Sequence, residues 1–403
     1  MNRKLTGRID VIDGMRGVAV IMVVFFCHYI GNHFDVVRSR GEANDGLLKH
    51  LIDLNITGVH LFFIISGFLL GGILLDNRGS KRFFSSFYIR RLTRILPLYF
   101  GSLLLFVAVN PYLDQRFAWL TGESLPIWSY VIFMQNNVMA VADTFGGNWL
   151  APTWSLAVEE QFYIVLPFLI FFTPLRHLPK LLILGILSAP LLRAAAGLGV
   201  SGTASIVLLT SCMDALCYGL LAAYAIRAEP VRQFIRRYLR MIGHIAWLMP
   251  VLGFFASYYG DVLDIGARIV VSFWLITTGF TAFLLYATER QGTWLHFLLN
   301  QSWLRWIGVR CYAIYLFHQV VIGLLGGFFA ARSDFQVNDL WSLGVWLVSI
   351  VAILTLAALS WRWVERPLIA YGHRWKYESP LVETIPTATT GRPIAEEETK
   401  RAA

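Results

Sequence analysis

The chain has 403 residues, of which 57% are hydrophobic and only 15% are charged. A soluble domain carries about a quarter charged residues, so this composition excludes an ordinary soluble protein and indicates a membrane protein. The formal net charge of +9 does not imply a nucleic-acid partner, because the basic residues collect at the ends of apolar stretches rather than on one soluble face.

Apolar stretches long enough to cross a bilayer define the predicted architecture. A transmembrane helix needs about 20 such residues, and the chain contains about ten of these stretches, which predicts an all-α, polytopic fold. The predicted spans are residues 14–31, 57–76, 94–111, 154–173, 181–198, 204–226, 242–259, 268–288, 311–331 and 341–361. A shorter apolar stretch, 126–141, lies among Gly, Asn and Pro and predicts an interfacial or re-entrant helix.

The distribution of Lys and Arg predicts the orientation. These residues precede the first span and collect between spans two and three, after span four and after span six. Positive loops face the cytoplasm, so both termini are predicted to be cytoplasmic. No small-residue cleavage site follows the first apolar stretch, which favours an uncleaved span over a signal peptide. Residues 1–376 are therefore predicted to form the membrane domain, and 377–403 a disordered cytoplasmic tail.

An ionisable side chain inside a span is costly unless it faces a cavity or a partner, so each one is a candidate site. The first span holds Arg16 and His28, 12 residues apart, which is about 18 Å along a helix. The two side chains cannot touch each other, but they could contact the two ends of one long ligand. His28 has the chemistry of a general base, and the alternative is an interfacial histidine that binds a backbone carbonyl.

Basic residues also cluster at the start of the third span, where Arg90, Arg91 and Arg94 lie within about one helical turn. Guanidinium groups suit phosphate, so the cluster predicts a rim for a phosphorylated donor. The alternative is a solvated positive loop at the membrane surface. Earlier in the chain, glycines 67, 71 and 72 of the second span indicate that this helix approaches a neighbouring helix closely.

Two adjacent carboxylates, Glu159 and Glu160, enter the fourth span just after Trp154. In a helix Glu159 shares a face with Tyr163, four residues on, while Glu160 is turned by about 100°. One carboxylate could orient a catalytic histidine or bind acceptor hydroxyls. The alternative is an interaction with a helix N-terminus.

The remaining intramembrane groups are more easily explained by structure. Asp214 and His318 are predicted to form inter-helix hydrogen bonds. Four cysteines lie in or at predicted spans without metal-ligand spacing, which predicts small core residues and no metal site; they are Cys27, Cys212, Cys217 and Cys311.

Several separated segments together carry a resemblance to a known family. The chain resembles the membrane acyltransferase-3 family, which O-acetylates surface polysaccharides and other sugars. The segments occur in the family's order and cover roughly residues 10–370; they are DGMRGVAV with His28 downstream, GVHLFFIISGFLL, FYIRRLTRILPLY, TWSLAVEEQFYIVLP, YAIYLFHQ and WVERPL.

The resemblance implies a ten-span helical body in the cell inner membrane, a cytosolic acyl-CoA donor, no bound cofactor and an acceptor reached from the other side. By matching positions, Arg16 and His28 correspond to the family's Arg and His pair. Arg91 and Arg94 correspond to its RxxR motif, and Glu159 to the Glu after WSL. His60 stands where the family often has Asp, which makes it a second candidate.

The spacing of Arg16 and His28 departs from the family pattern. The family usually has one residue fewer between the two, and this sequence has eleven, Gly17 to Cys27. A regular helix would turn His28 by about 100° from the expected face. Either a local π-type bulge absorbs the extra residue, or the role of Arg16 is displaced.

The predicted function is transfer of an acyl group, acetyl in the simplest case, from acyl-CoA to a hydroxyl of a carbohydrate or glycolipid. Arg16 and the cluster of Arg90, Arg91 and Arg94 would bind acyl-CoA, with His28 as base and Glu159 orienting the imidazole or the sugar. Acceptor-binding or structural candidates are His60, Glu160, Trp154, Tyr163 and His318.

Two other classes remain open. In a transporter or exporter without acyl transfer, the same ionisable groups would form a proton or substrate pathway. A non-catalytic sensor would need a ligand or signalling domain, and the sequence shows none. Within the enzyme class, a ternary complex is favoured over a covalent intermediate, because no Ser or Cys has a recognisable nucleophile setting. The oligomeric state is not predicted.

Overall fold

A computed structural model describes residues 10–34, 47–123, 125–259, 265–330 and 335–378. In these ranges the chain is helical, without strands, and ten helices are long and apolar enough to cross a membrane. The predicted all-α class and number of spans are confirmed. The ten helices are α1 (Asp10–Ile30), α2 (Leu47–Asp76), α3 (Phe83–Tyr112), α4 (Thr153–Phe172), α5 (Leu178–Gly199), α6 (Ala204–Ala225), α7 (Leu239–Tyr258), α8 (Ile269–Glu289), α9 (Cys311–Phe329) and α10 (Leu340–Gly372).

The short apolar stretch between α3 and α4 does not form a span, as predicted. It folds as two short helices, Ile127–Val131 and Gln135–Ala142. The fully buried Gln135 donates from its amide to the Thr153 carbonyl oxygen at 2.9 Å, at the start of α4. A buried amide needs such partners, so this contact fixes the short helices against the membrane body.

Helix α1 changes its hydrogen-bonding pattern halfway along. Asp10–Val20 is α-helical, and Ile21–Ile30 is a π-helix. A π-helix bonds residue i to i+5 and holds more residues per turn than an α-helix. The π-type distortion of the first predicted alternative is thus observed in this half of α1.

Helices α2 and α6 approach closely through glycines. A Cβ atom on Gly67 would lie 2.3 Å from the carbonyl oxygen of Leu216, and one on Gly219 would lie 2.1 Å from that of Ile64. Both distances are too short for any side chain, so the two backbones are in direct contact at this crossing. The predicted role of Gly67 in close helix approach is confirmed.

Replacing Gly219 with alanine is expected to lower the melting temperature of the detergent-solubilised protein, because the new methyl group forces α2 and α6 apart at a cost of about 1–3 kcal/mol. Gly344→Ala in α10 is the matched control, since its Cβ would meet nothing within 4 Å. That change should leave the melting temperature unchanged or raise it slightly, because alanine favours helix. Equal melting temperatures for the two variants would contradict the packing described for α2 and α6.

An ion pair lies entirely inside the helix bundle. Arg193 of α5 and Asp214 of α6 are both 0% exposed, with Arg193 Nη2 2.9 Å from Asp214 Oδ2. Arg193 Nε also donates to the Ser211 carbonyl oxygen at 2.9 Å. The predicted inter-helix hydrogen bond of Asp214 is confirmed, and its partner is a buried cation.

Asp214→Ala is expected to destabilise the fold by about 3–5 kcal/mol, because it leaves the Arg193 charge buried and unpaired. The measurement is the yield of monodisperse protein and its melting temperature in detergent. Asp114→Ala is the matched control, since it removes an Asp–Arg pair whose side chains are 53% and 50% exposed, and exposed pairs contribute little. If both variants behave alike, the Arg193–Asp214 pair does not hold α5 to α6.

The segment that follows α10 folds back onto α3. Ser86 Oγ donates to the Lys376 carbonyl oxygen at 3.1 Å, and Arg82 Nε lies 3.1 Å from Glu378 Oε1. The Arg90 guanidinium carbon lies 4.8 Å from the centre of the Tyr377 ring. Most of the predicted tail, 379–403, lies outside the described residues, and the cytoplasmic placement of both termini stays a prediction.

Candidate functional site: a cationic cavity beside a histidine pair

Five helices, α1, α2, α3, α4 and α9, line one cavity. It brings together five of the eleven residues predicted for the site, whereas His28 and His318 do not line it. Its walls carry Arg16, Val59, Phe62, Phe63, Ser66, Arg91, Arg94, Ile95, Ser155, Leu156, Glu159, Tyr163, Cys311, Tyr312 and Tyr315.

Three guanidinium groups line this cavity. Arg16 forms an ion pair with Asp13, one turn earlier, at 3.2 Å. Arg91 and Arg94 make no hydrogen bond or ion pair with another residue in the described part of the chain, although both line the cavity. Concentrated positive charge away from water is unfavourable unless an anion compensates it. The cavity is therefore complementary to a ligand with several negative charges.

The cationic field extends beyond the cavity to the end of the membrane body. His373 lies just after α10, and its pKa is lowered, first by burial and then by the positive charge of Arg90, Arg91 and Arg94. The neutral imidazole is favoured there because a further cation would add to the repulsion. The positive charge of the arginine cluster therefore reaches His373.

The carboxylate of Glu159 is held by two hydroxyl groups. Ser66 Oγ donates to Oε1 at 2.9 Å, and the Tyr163 hydroxyl donates to Oε2 at 2.9 Å. The predicted shared face of Glu159 and Tyr163 is thus observed as a direct hydrogen bond. The two hydroxyls fix the carboxylate on the cavity wall that also carries Arg91 and Arg94.

Helix α9 supplies one further wall of the cavity. Cys311 and Tyr315, four residues apart, both line it, as does Tyr312. The Tyr315 hydroxyl is 2.9 Å from Ser155 Oγ and thereby connects α9 to the start of α4. Residues at i and i+4 lie on one helix face, which explains why α9 presents this row to the cavity.

One turn beyond Tyr315 on α9, two histidines are in direct contact. His28 Nδ1 lies 2.6 Å from His318 Nε2, and His318 Nδ1 lies 2.7 Å from the carbonyl oxygen of Tyr315. His318 is fully buried, whereas His28 is partly exposed. The histidine pair is therefore connected by a hydrogen bond to Tyr315, a residue of the cavity wall.

Further hydrogen bonds hold the π-helical half of α1 to α9 and α10. The Tyr29 hydroxyl donates to the His318 carbonyl oxygen at 3.3 Å, and Trp346 Nε1 donates to the Tyr29 carbonyl oxygen at 3.0 Å. Both contacts are made by Tyr29, the residue that follows His28. They position the His28 backbone independently of its imidazole.

The guanidinium groups and the histidine pair lie at different depths. Spans α1 and α9 cross the membrane in the same direction because an even number of crossings separates them. His318 lies seven residues beyond Cys311, or roughly 10 Å along the helix axis, and His28 lies still further from Arg16. An elongated ligand could place its anionic end among the arginines and its other end at His28.

Several predicted candidates lie elsewhere. Arg90 does not line the cavity, because its Nε donates to the Trp375 carbonyl oxygen at 2.9 Å. His60 is buried, with its ring 4.8 Å from that of Phe273. Trp154 packs its ring against Phe63 at 6.2 Å, and Glu160 has a buried Oε1 and no place on the cavity wall.

Sequence reasoning missed part of the cavity wall. Ser66, Tyr315 and Cys311 were not predicted for the site, although all three line it. A usable signal was present for α9, because Cys311, Tyr315 and His318 follow each other at four and three residues, which places them on one helix face. No comparable signal marks Ser66.

No group of three or more His, Cys, Asp or Glu in the described ranges is arranged to hold a metal ion. Fold and site thus define a multi-pass membrane protein with a buried cationic cavity and an adjoining histidine pair. Residues 9–362 match the family model described as an acyltransferase domain. The chain belongs to this family, acyltransferase 3, as the resemblance predicted.

Curated relatives align with most of this chain. The chain is 27% identical to the peptidoglycan O-acetyltransferase OatA of Listeria monocytogenes over 384 residues, which are 89% of the chain and 55% of OatA. It is 26% identical to YrhL of Bacillus subtilis over 389 residues, which are 90% of the chain and 55% of YrhL. The chain thus spans little more than half the length of both relatives. No solved structure matches it.

Proposed function

We propose that this protein is an O-acyltransferase that moves an acetyl group from acetyl-CoA to a hydroxyl of a cell-wall carbohydrate. The observation that carries the proposal is the cavity in which Arg91 and Arg94 have no hydrogen-bond partner among the described residues, while the imidazole of His28 lies a short distance beyond Tyr315. Membership of the acyltransferase-3 family supports the reaction class.

The donor site of this proposal is the arginine end of the cavity. Acetyl-CoA carries several phosphate charges on its nucleotide end, and guanidinium groups bind phosphate oxygens in a bidentate manner. Arg16, Arg91 and Arg94 would hold those phosphates, with the pantetheine arm running along α9 toward His28. Glu159 partly balances the cations when no donor is bound, because its carboxylate shares their cavity.

The chemical step uses His28 as a general base. Its Nε2 makes no hydrogen bond with another described residue, so this edge is available to a substrate. The acceptor hydroxyl gives its proton to Nε2 while its oxygen attacks the thioester carbonyl carbon. The tetrahedral intermediate then collapses, the carbon–sulfur bond breaks, and the imidazolium returns the proton to the leaving thiolate. Such base catalysis contributes about 10²–10⁴-fold in rate.

The acceptor class comes from the relatives and not from the cavity. OatA is named a peptidoglycan O-acetyltransferase, which supports a cell-wall carbohydrate as the acceptor here. Donor and acceptor would reach the histidine from opposite ends, since the arginines and His28 lie at different depths. With the predicted orientation, the donor enters from the cytoplasm and the acceptor from the other side of the inner membrane.

The test is release of free thiol from acetyl-CoA by the purified protein in nanodiscs, with and without cell-wall glycan fragments. The proposal predicts thiol release that increases when the fragments are added. If no thiol is released, but sealed proteoliposomes containing the protein accumulate the glycan, the protein is a transporter and the proposal is wrong.

A further inference from the structure

We infer that His318 is a positioning residue that holds His28 in the tautomer whose free lone pair is on Nε2, so that a neutral imidazole replaces the carboxylate of a more usual catalytic pair. This inference rests on the proposed function, because it specifies how the proposed base is prepared. It is carried by the hydrogen-bond chain from Tyr315 through His318 to His28.

The two imidazole rings lie edge to edge. Their planes differ by 6° and their centroids are 4.8 Å apart. Since His28 Nδ1 and His318 Nε2 are 2.6 Å apart, the planes can be no further apart than that. Face-to-face rings need about 3.5 Å, so the rings are not stacked face to face, and they meet at the edges that carry these two nitrogens.

The direction of the chain follows from the carbonyl at its end. The Tyr315 carbonyl oxygen can only accept, so His318 Nδ1 must carry a proton and donate to it at 2.7 Å. In the neutral ring His318 Nε2 then has a lone pair and accepts from His28 Nδ1. The proton of neutral His28 is therefore on Nδ1, and its Nε2 is left as the free base.

The same contact supports the protonated state that the reaction creates. When Nε2 takes the proton of the acceptor hydroxyl, the resulting imidazolium keeps its Nδ1 proton directed at His318 Nε2, and this charge-assisted hydrogen bond is stronger than the neutral one. The partner is fully buried, so water does not compete for its lone pair. Nδ1 is thus already directed at an acceptor before the charge develops.

No carboxylate takes this role among the described residues. The Glu159 oxygens accept from Ser66 and Tyr163 instead, and the one side-chain hydrogen bond of His28 is the contact with His318. In a catalytic triad the third group sets the tautomer of the histidine and stabilises the imidazolium. Here a second histidine performs both tasks without adding a negative charge beside the donor cavity.

Two substitutions separate this role from simple packing. His318→Phe keeps a flat ring beside His28 but offers no acceptor, and we expect it to lower kcat by about 10²–10³-fold. Its KM for acetyl-CoA should stay within about twofold, because the arginine cavity is untouched. His318→Gln places an amide oxygen near the position of Nε2, and we expect it to keep kcat within about tenfold of wild type.

A second measurement does not depend on activity. Diethyl pyrocarbonate acylates an unprotonated imidazole nitrogen, and mass spectrometry of the digested protein follows the rate at His28. We expect that rate to fall several-fold in His318→Phe, because the accessible Nε2 then carries the proton, and to be retained in His318→Gln. Monodispersity and melting temperature establish that both variants are folded.

The outcomes are distinct from those that test the function itself. If wild type transfers acetyl and His318→Phe has an unchanged kcat, the inference is overturned while the proposed function stands. If the folded Phe and Gln variants lose activity equally, His318 acts through packing and the tautomer role is wrong. If wild type transfers nothing, the proposed function fails, and an unchanged His28 modification rate in His318→Phe would then overturn the hydrogen-bond chain as well.

Discussion

Replacing His28 with alanine is expected to lower the rate of acceptor-dependent thiol release from acetyl-CoA by about 10²–10⁴-fold, the usual contribution of a general base. The KM for acetyl-CoA should change little, because the proposed phosphate site at Arg91 and Arg94 lies in the cavity, which His28 does not line. The measurement is a steady-state titration with acetyl-CoA at saturating glycan.

The fold should survive this change, since Tyr29 and Trp346 hold this part of α1 through separate hydrogen bonds. His244→Ala is the matched control, because His244 is an exposed histidine of α7. It should retain wild-type kcat and KM. A folded His28→Ala variant with wild-type kcat would show that another group removes the proton.

Removing the guanidinium group of Arg91 or Arg94, neither of which is paired within the part of the chain that the structure describes, should have the second large effect, and it should act on the KM. Arg91→Ala and Arg94→Ala are each expected to raise the KM for acetyl-CoA by about 10- to 100-fold, since a hydrogen bond to a charged group contributes about 1.5–3 kcal/mol. The kcat at saturating donor should stay within severalfold of wild type, because the imidazole is not changed. Acetyl-CoA titrations of both variants check this.

Arg90 is the control for this effect, since it precedes Arg91 directly but binds the Trp375 carbonyl oxygen and the Tyr377 ring outside the cavity. Arg90→Ala should lower the melting temperature, because it releases the segment after α10, and leave the KM unchanged. A KM increase as large as that of Arg91→Ala would mean that donor binding depends on the net positive charge of α3 and not on the cavity.

Much of the architecture was predictable because a bilayer imposes a simple physical requirement. Each span must be apolar over a fixed length, and all ten predicted spans correspond to observed helices. The cost of an ionisable group in the bilayer identified Arg16 and Glu159 as candidates, and these two share one cavity with Arg91 and Arg94, which were predicted from their basic cluster. Burial cost did not by itself separate this cavity from other buried sites, because it also identified His28, Asp214 and His318, which do not line it.

The contact between His28 and His318 was beyond the reach of sequence reasoning. The two residues are 290 positions apart, and only the packing of α1 against α9 brings them together. The π-helix was predictable as one of two alternatives because helix geometry shows that an extra residue must be absorbed or must turn the side chain. Choosing between these alternatives required the hydrogen bonds of Ile21–Ile30.

Local sequence reasoning also grouped neighbours that tertiary structure separates. Arg90, Arg91 and Arg94 were predicted as one phosphate rim, yet Arg90 points to the segment after α10 while the other two face the cavity. Consecutive residues on a helix are turned by about 100°, so adjacent arginines need not share a site. His60 and Trp154 were likewise candidates for the acceptor and are observed in aromatic packing.

Acyl transfer is tested most directly by following the acetyl group itself. Sealed proteoliposomes containing the purified protein receive isotope-labelled acetyl-CoA on one side and a cell-wall glycan on the other, and mass spectrometry of the recovered glycan detects the label. We predict a labelled acetyl ester on the glycan with wild type and none with His28→Ala. Acyl transfer would be contradicted if the folded wild-type protein left the labelled acetyl-CoA intact and the glycan unlabelled.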